Sequence, residues 1–253
     1  MKSTWFGTRD RYDFARLIRE ADYGMGLHDL FREFLQCAFS ATYQPVHKLR
    51  HGEICPKEEE TYMRSIGRLK YPNKFGEAMG ALTLGLEKEG SDFLGMVMSE
   101  LDMNDVSFRG QCFTPKSVCE LMATSIVGDA EPDDDKAIWL SEPACGAGAM
   151  TIACSDVLKS KGFWPWHYRW VCTDVDLRCF QMIYIQTTLL GIPAGCVWGN
   201  TLTLETYRSE WNLISVLHRA RDRKNGETSP DAVVEVAAEC EAVEIPKVQL
   251  EMF

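Results

Sequence analysis

The chain has no uninterrupted apolar run approaching the roughly 20 residues needed to span a bilayer. Its polar start, Met1-Lys-Ser-Thr-Trp5, also lacks the apolar core of a secretory signal. Together these predict a cytoplasmic protein with no membrane contact. None of the ten cysteines stands in Cys-x-x-Cys spacing, the pattern that most often marks zinc or dithiol chemistry. Cys112, Cys145, Cys172 and Cys196 therefore read as reduced, small apolar side chains beside strands and turns, and no metal site is expected. Cations are scarce as well: 27 Lys and Arg stand against 37 Asp and Glu, a net charge of -10. That balance works against unaided binding to a polyanion, because Lys and Arg contacts to phosphate supply most nonspecific nucleic-acid affinity. The deficit is uneven, however. Glu227, Asp231, Glu235, Glu239, Glu241, Glu244 and Glu251 against Lys247 give the segment after Gly226 a charge of -6, which leaves -4 for the rest and room for a local basic face.

A length of 253 residues suits one sizeable α/β domain with a smaller helical one. From Arg11 to about Ala41, Leu27, Leu30, Phe31, Phe34, Leu35 and Ala38 recur at three- and four-residue steps, which predicts a helix with one packed face. Helical stretches 58–69 and 74–87 and the apolar piece 92–98 follow, punctuated by Pro56, Pro72 and Gly90. Residues 1–105 thus form an all-helical layer. After Gly110 the rhythm changes to a helix opened by Thr114-Pro115 and running to about Ile126, a strand at 137–142, a helix at 149–159, a strand at 168–173, a helix at 177–190, a strand at 195–198 and a possible strand at 211–217. This alternation predicts an α/β fold over 106–225, with a mostly parallel, Rossmann-like sheet covered by helices on both faces, and an acidic tail at 226–253. The ligand crevice then lies at the carboxyl ends of the strands, where Glu142, Asp174 and Asn200 fall.

The most telling stretch is Ala137-Ile-Trp-Leu-Ser-Glu142-Pro143-Ala-Cys-Gly146-Ala-Gly148, a strand running into a glycine turn and then a helix. An acidic residue at the strand end and two glycines that let backbone amides approach a ligand suit a cofactor with ribose hydroxyls and a charged amino-acid tail; S-adenosylmethionine has both. The plain alternative is a tight strand-to-helix corner with no ligand. Asp174, followed by Val175 at the end of the next strand, is placed to hold both ribose hydroxyls, or else to cap the helix that follows.

In order and spacing these elements resemble the adenine-N6 DNA methyltransferases, particularly the modification subunit of type I restriction systems and its shorter phage- and plasmid-borne relatives. Asp92-Phe-Leu-Gly95 is similar to the family's Asp-x-Leu-Gly element, and Gly110-Gln-Cys-Phe113-Thr114-Pro115 to its Phe-Tyr/Phe-Thr-Pro element. Glu142-Pro-Ala-Cys-Gly146-Ala-Gly148 resembles its Asp-Pro-x-x-Gly-x-Gly cofactor loop. The resemblance implies an S-adenosylmethionine-dependent methyltransferase fold acting on DNA. It assigns cofactor contacts to Phe113, Thr114, Pro115, Glu142, Pro143, Gly146, Gly148, Asp174, Val175 and Asn200, with Phe113, Thr114 and Pro115 around the methionine moiety. Gly199-Asn200-Thr-Leu202 is similar to a family turn whose acidic residue faces the adenine amine of the cofactor; an asparagine there can still accept that hydrogen bond, without charge assistance.

The same resemblance makes one absence decisive. The family's catalytic tetrapeptide is Asn/Asp-Pro-Pro-Tyr/Phe after the fourth strand, and this chain has no Pro-Pro dipeptide. If the fourth strand is 211–216, Leu217-His218-Arg219-Ala220 occupies that place, without the acceptor for the base amine or the stacking ring, and the catalytic residues are unknown. A preorganised polar contact is worth roughly 3 to 4 kcal/mol at a transition state, and base stacking about 1 to 3. Together they amount to about three to five orders of magnitude in rate. The expectation is a protein that holds the methyl donor but transfers it poorly unless another chain completes the site. Its partners would be DNA, reached through a partner subunit, and a specificity or restriction-system protein. The alternative is a silent pseudoenzyme that uses the fold for regulation or anti-restriction on a mobile element. Arg219, Arg221, Arg223 and Lys224 are candidate phosphate contacts, or else a solvated basic loop. Trp164, Trp166 and Trp170 read as sheet-edge packing or as a partner patch.

Overall fold

The computed structural model describes residues 7–102, 114–134 and 136–224. Phe113 and the acidic tail expected at 226–253 lie outside them.

Among the described residues, five helices form the N-terminal layer. Helix α1 (Arg9–Ala21) is capped by Thr8, whose hydroxyl accepts the Arg11 N–H at 3.3 Å, and it buries Phe14, Ala15, Ile18 and Ala21 on one face. The single helix expected over 11–41 is two helices, with α2 at Leu27–His51. The break at 22–26 comes from local competition, because the Asp22 side chain accepts the Gly24 N–H at 2.7 Å in place of a helical carbonyl. Helix α2 then runs ten residues past Ala41, through Pro45. That proline faces solvent, and water can reach the Ala41 carbonyl it leaves without a partner. Helices α3 (Pro56–Gly67), α4 (Asn73–Glu89) and α5 (Phe93–Asp102) complete the layer. Phe14 joins them, meeting Phe34 edge-on at 5.0 Å and Phe93 at 5.5 Å.

The second half runs α6 (Lys116–Val127), β1 (Ile138–Glu142), α7 (Ala149–Ser160), β2 (Tyr168–Asp174), α8 (Leu177–Leu190), β3 (Ala194–Asn200), β4 (Glu205–Trp211) and α9 (Leu213–Lys224). The sheet order is β1-β2-β3-β4, with the first three strands parallel and β4 antiparallel to β3. Strand alternation sorts the side chains. Trp170, Cys172, Ala194 and Cys196 point into the main core with α7 and α8, whereas Val171, Val197 and Trp211 form a small cluster with Val216 of α9. Two crossovers that advance in the same direction lay both helices on one face. The expected cover on both faces is therefore lopsided, since beyond β2 and β3 the second face carries α9 alone among the described residues.

The strand expected at 211–217 is corrected. Trp211 ends β4, and the chain turns at Asn212 into α9. Fully buried Asn212 forces the turn: its side-chain oxygen accepts the Ser215 N–H at 3.1 Å, and its amide donates to the Ile192 carbonyl at 2.7 Å. Strand β4, Glu-Thr-Tyr-Arg-Ser-Glu-Trp, hides from periodicity because it is an edge strand with polar residues on both sides.

The helical layer and the sheet share one continuous core, in which Phe39 of α2 packs on Phe180 and Tyr184 of α8. A polar clamp crosses the same junction. Arg208 of β4 lies 4.7 Å from the rings of Phe39 and Tyr43 and pairs with Glu58 at 2.8 Å, while Ser40 and Gln36 donate to the other Glu58 oxygen.

Candidate functional site

The glycine turn between β1 and α7 is built by two residues in the left-handed region, Gly146 at φ +54° and Gly148 at φ +105°. Gly148 is also pressed against α8, where a Cβ would stand 2.2 Å from the Ile183 Cδ1. The turn is fastened to the end of β2. Cys145 donates its N–H to the Thr173 carbonyl at 2.9 Å, and Gly146 donates to a carboxylate oxygen of Asp174 at 2.8 Å. The other Asp174 oxygen accepts the Asp176 N–H at 2.8 Å. Asp176 is the cap of α8, accepting the Arg178 N–H at 2.8 Å and pairing with its guanidinium at 2.6 Å. The two readings of Asp174 are thereby separated: the helix cap is its neighbour, and Asp174 faces the glycine turn.

The turn after β3 closes on the same place. Thr201 donates its hydroxyl to the Pro143 carbonyl at 2.6 Å, across the end of β2, and the Trp198 indole donates to the carbonyl of exposed Val175 at 3.0 Å. The Asn200 side-chain oxygen accepts the N–H groups of Leu202 at 3.0 Å and Thr203 at 3.3 Å. Its acceptor capacity is thus spent on its own turn, and the amide NH2 is what it has left to offer a ligand, contrary to the acceptor role expected of it. Burial pushes the Glu142 carboxyl up, against a bond from the Ala144 N–H. Pro143, Gly146, Asp174, Val175 and Asn200 therefore gather at the carboxyl ends of three parallel strands. With Glu142, Asp174 and Asp176 around it, this end of the sheet suits ribose hydroxyls and a cationic group and disfavours a pyrophosphate.

Below the turn lies a buried support that the sequence pattern did not expose. Asp92 opens α5, and its carboxylate accepts the Gly95 N–H and the Gln186 amide, each at 2.8 Å. Gln186 also donates to the Ala147 carbonyl at 2.8 Å and accepts the Leu94 N–H at 3.0 Å. Gly95 is small by necessity, since a Cβ there would come within 2.8 Å of the Ala147 Cβ. The Asp-x-Leu-Gly element thus holds the glycine turn from behind. A polar Gln186 inside the apolar run of α8 was the available signal. Thr114 and Pro115 precede α6, and Thr114 shares with Asp92, Met96, Cys119, Ala149 and Ala153 a cavity of about 450 Å³ beside the turn.

The basic cluster is corrected at one position. Arg219 is buried, with its guanidinium 5.2 Å from the centre of the Trp211 ring, and so packs α9 onto the sheet instead of meeting phosphate. The side chains of Arg221, Arg223 and Lys224 lie outside the described part of the chain. Trp170 is a core residue bonded to Ser155 at 3.0 Å, and Trp164 and Trp166 stack on each other 5.2 Å apart.

A parallel strand, a two-glycine turn and a helix, facing an acidic residue at the end of the neighbouring strand, define a Rossmann-like α/β fold. Residues 91–213 match the family model of the N-6 DNA methylases. Among solved structures, the chain is similar to the methyltransferase subunit of a type I restriction-modification system from Streptococcus thermophilus. That likeness covers 73% of this chain and 55% of that one, at 13% identity and a TM-score of 0.35, so the chain spans little more than half of that subunit's length. No curated protein matched the chain. Among the described residues, no helix is long and apolar enough to cross a membrane, and no group of three or more His, Cys, Asp or Glu side chains could hold a metal ion.

Proposed function

We propose that this chain is the methyl-donor-holding part of a restriction-modification type adenine-N6 DNA methyltransferase and that it is a poor catalyst alone. The observation that supports the reading is the 2.8 Å contact between the Gly146 N–H and Asp174, which sets the glycine turn against a carboxylate at the end of the neighbouring strand. S-adenosylmethionine would supply an electrophilic methyl group on sulfonium. Asp174 would hold its ribose hydroxyls, Gly146 and Gly148 would let the backbone close on it, and Glu142 would face its cationic side. Phe113, Thr114, Pro115, Pro143, Val175 and Asn200 complete the proposed contacts. Transfer to adenine also needs an acceptor for the base amine and a stacking ring, and the Asn/Asp-Pro-Pro-Tyr/Phe segment that supplies them in the family is missing from this sequence.

Calorimetry with S-adenosylmethionine tests the reading directly. Binding is expected in the parent and absent in Gly146→Arg and Asp174→Ala; a parent that does not bind removes the proposal. The second reading, a silent relative acting by binding a restriction-system partner, is favoured by the helix that follows β4 where the catalytic segment is expected. Tritiated-methyl transfer to adenine-rich DNA separates the two. Incorporation well above background by the chain alone, lost in Asp174→Ala, would exclude the silent relative.

A further inference from the structure

We infer that the outer edge of β1 is a docking strand for a second, basic polypeptide, which lays a parallel β-strand against Ile138–Glu142 and carries the missing base-handling residues to the far side of the glycine turn. The inference rests on the reading of this crevice as the methyl-donor site.

Strand β1 is outermost in the sheet, with no strand beside it among the described residues. Exposed edges in natural proteins are usually blunted by lysine, proline or a bulge. Ile-Trp-Leu-Ser-Glu contains no lysine or proline and pairs with β2 in unbroken register. Its outward side chains, Trp139 and Ser141, are exposed. Trp139 meets Trp211 edge-on at 6.2 Å yet stays 37% exposed, because the cover provided by α9 centres on Val171, Val197 and Trp211.

The neighbouring helix is apolar on two sides. Cys119, Ala123 and Val127 of α6 are buried, while Val118, Leu121, Met122 and Ile126 form a second stripe at helical spacing that is exposed, to 70% at Leu121 and 60% at Ile126. Helix α6 packs along α7, the helix into which β1 leads. A bare strand edge, an exposed tryptophan and an unpacked helix stripe thus occur in neighbouring elements.

Topology selects the occupant. Strands β1, β2 and β3 advance in one direction. In a doubly wound sheet the nucleotide crevice opens where the order reverses, between the first strand and a parallel neighbour on its other side. Here that second wall is missing among the described residues. A second copy related by a two-fold axis would set β1 antiparallel to itself, with the crevices at opposite ends, and would add no residue that the chain lacks. A parallel strand from a different chain ends level with Glu142, so the loop after it enters the crevice. Charge selects further: the chain is at -10, and Asp129, Glu131 and Asp133, just before β1, are exposed. A basic partner complements them and also supplies the cations that DNA phosphates require.

The test uses the full chain in the cells that encode it, with the photo-crosslinking residue p-benzoylphenylalanine placed at Trp139, at Leu121 or, as a control, at exposed Leu49 on α2. Positions 139 and 121 are expected to capture one and the same basic polypeptide, with the link from 139 in a strand followed by Asn/Asp-Pro-Pro-Tyr/Phe, and position 49 to capture none. The purified pair should then transfer tritiated methyl to DNA at least about 100-fold faster than the chain alone. The double variant Leu121→Asp/Ile126→Asp should lose both the adduct at 139 and the rate gain, with an unchanged melting temperature. Absence of an adduct, an adduct to a second copy, a link back to residues 225–253, or a captured chain without that segment each overturns the inference. Calorimetry on the chain alone keeps the two failures apart, because loss of donor binding sinks the proposed function while the crosslinks report on docking.

Discussion

Gln186 of α8 and Asp92 at the start of α5 are 94 positions apart and bonded at 2.8 Å in a fully buried setting, and the same amide holds the carbonyl of Ala147 in the glycine turn. One side chain thus fixes the helical layer, the crossover helix and the glycine turn to each other. Gln186→Leu keeps the volume but leaves the Asp92 carboxylate with the Gly95 N–H alone and takes the Gln186 bond away from the Leu94 N–H and the Ala147 carbonyl. The expected cost is about 3 kcal/mol or more, read from urea unfolding. A cost below about 1 kcal/mol would show that these groups find other partners.

Asp92 also makes stability depend on pH. Burial raises its carboxyl from 3.8 to about 6, against the opposing bonds from Gln186 and Gly95. Between these values the folded state binds more protons than the unfolded state, so the contribution is fully present below 3.8 and is lost as pH rises through about 6. Asp92→Asn removes that dependence. The stability of the parent relative to Asp92→Asn should fall by about 2 kcal/mol between about pH 4.5 and about pH 7.5. A flat difference would mean that Asp92 ionises normally.

Gly148 combines φ +105° with a Cβ position 2.2 Å from Ile183. Gly148→Ala is expected to cost about 2 to 3 kcal/mol, part steric and part conformational. Adding Ile183→Val, which removes the opposing Cδ1, should recover the steric part alone. Full recovery in the double variant would assign the whole cost to the clash.

Arg208 holds buried Glu58 while stacking near Phe39 and Tyr43. Arg208→Met leaves that carboxylate with Ser40 and Gln36 but no cation, and a loss of about 3 kcal/mol is expected in denaturant unfolding. Arg208→Lys should restore only part of it, because an ammonium cannot stack on the rings and reach both Glu58 and Glu210 as the planar guanidinium does. Equal stability of the Lys and Arg forms would rule out that geometry.

Asn200 spends its side-chain oxygen on Leu202 and Thr203. Asn200→Asp keeps those bonds and adds a second acceptor oxygen, so S-adenosylmethionine binding should tighten by about tenfold, measured by calorimetry. Unchanged affinity would place the adenine of the cofactor elsewhere.

Most elements were legible in the sequence because their signals are local. Helix α8 follows from its apolar run between Asp176 and Gly191, and β2 from the aromatic and β-branched residues of Tyr168-Arg-Trp-Val-Cys-Thr173. The glycine turn was legible as well, since two left-handed positions after a strand leave few alternatives to glycine. Failures came where a distant group decided the outcome. Strand β4 is polar on both sides, and α9 begins at Asn212 because Ile192 and Ala194 are there to bond it. Arg219 read as a surface cation because nothing local announces that Trp211 lies beneath it.

By itself, then, the sequence determined the order of helices and strands, the left-handed corner at Gly146 and Gly148, and the absence of a Pro-Pro catalytic segment, all properties of neighbouring residues. The tertiary structure alone decided that Gly146 meets Asp174, that Asp92 and Gln186 brace the turn, and that β1 is left at the edge of the sheet. Those outcomes depend on contacts between residues far apart in the chain, and the energy of such contacts is set by packing and burial that no local pattern encodes.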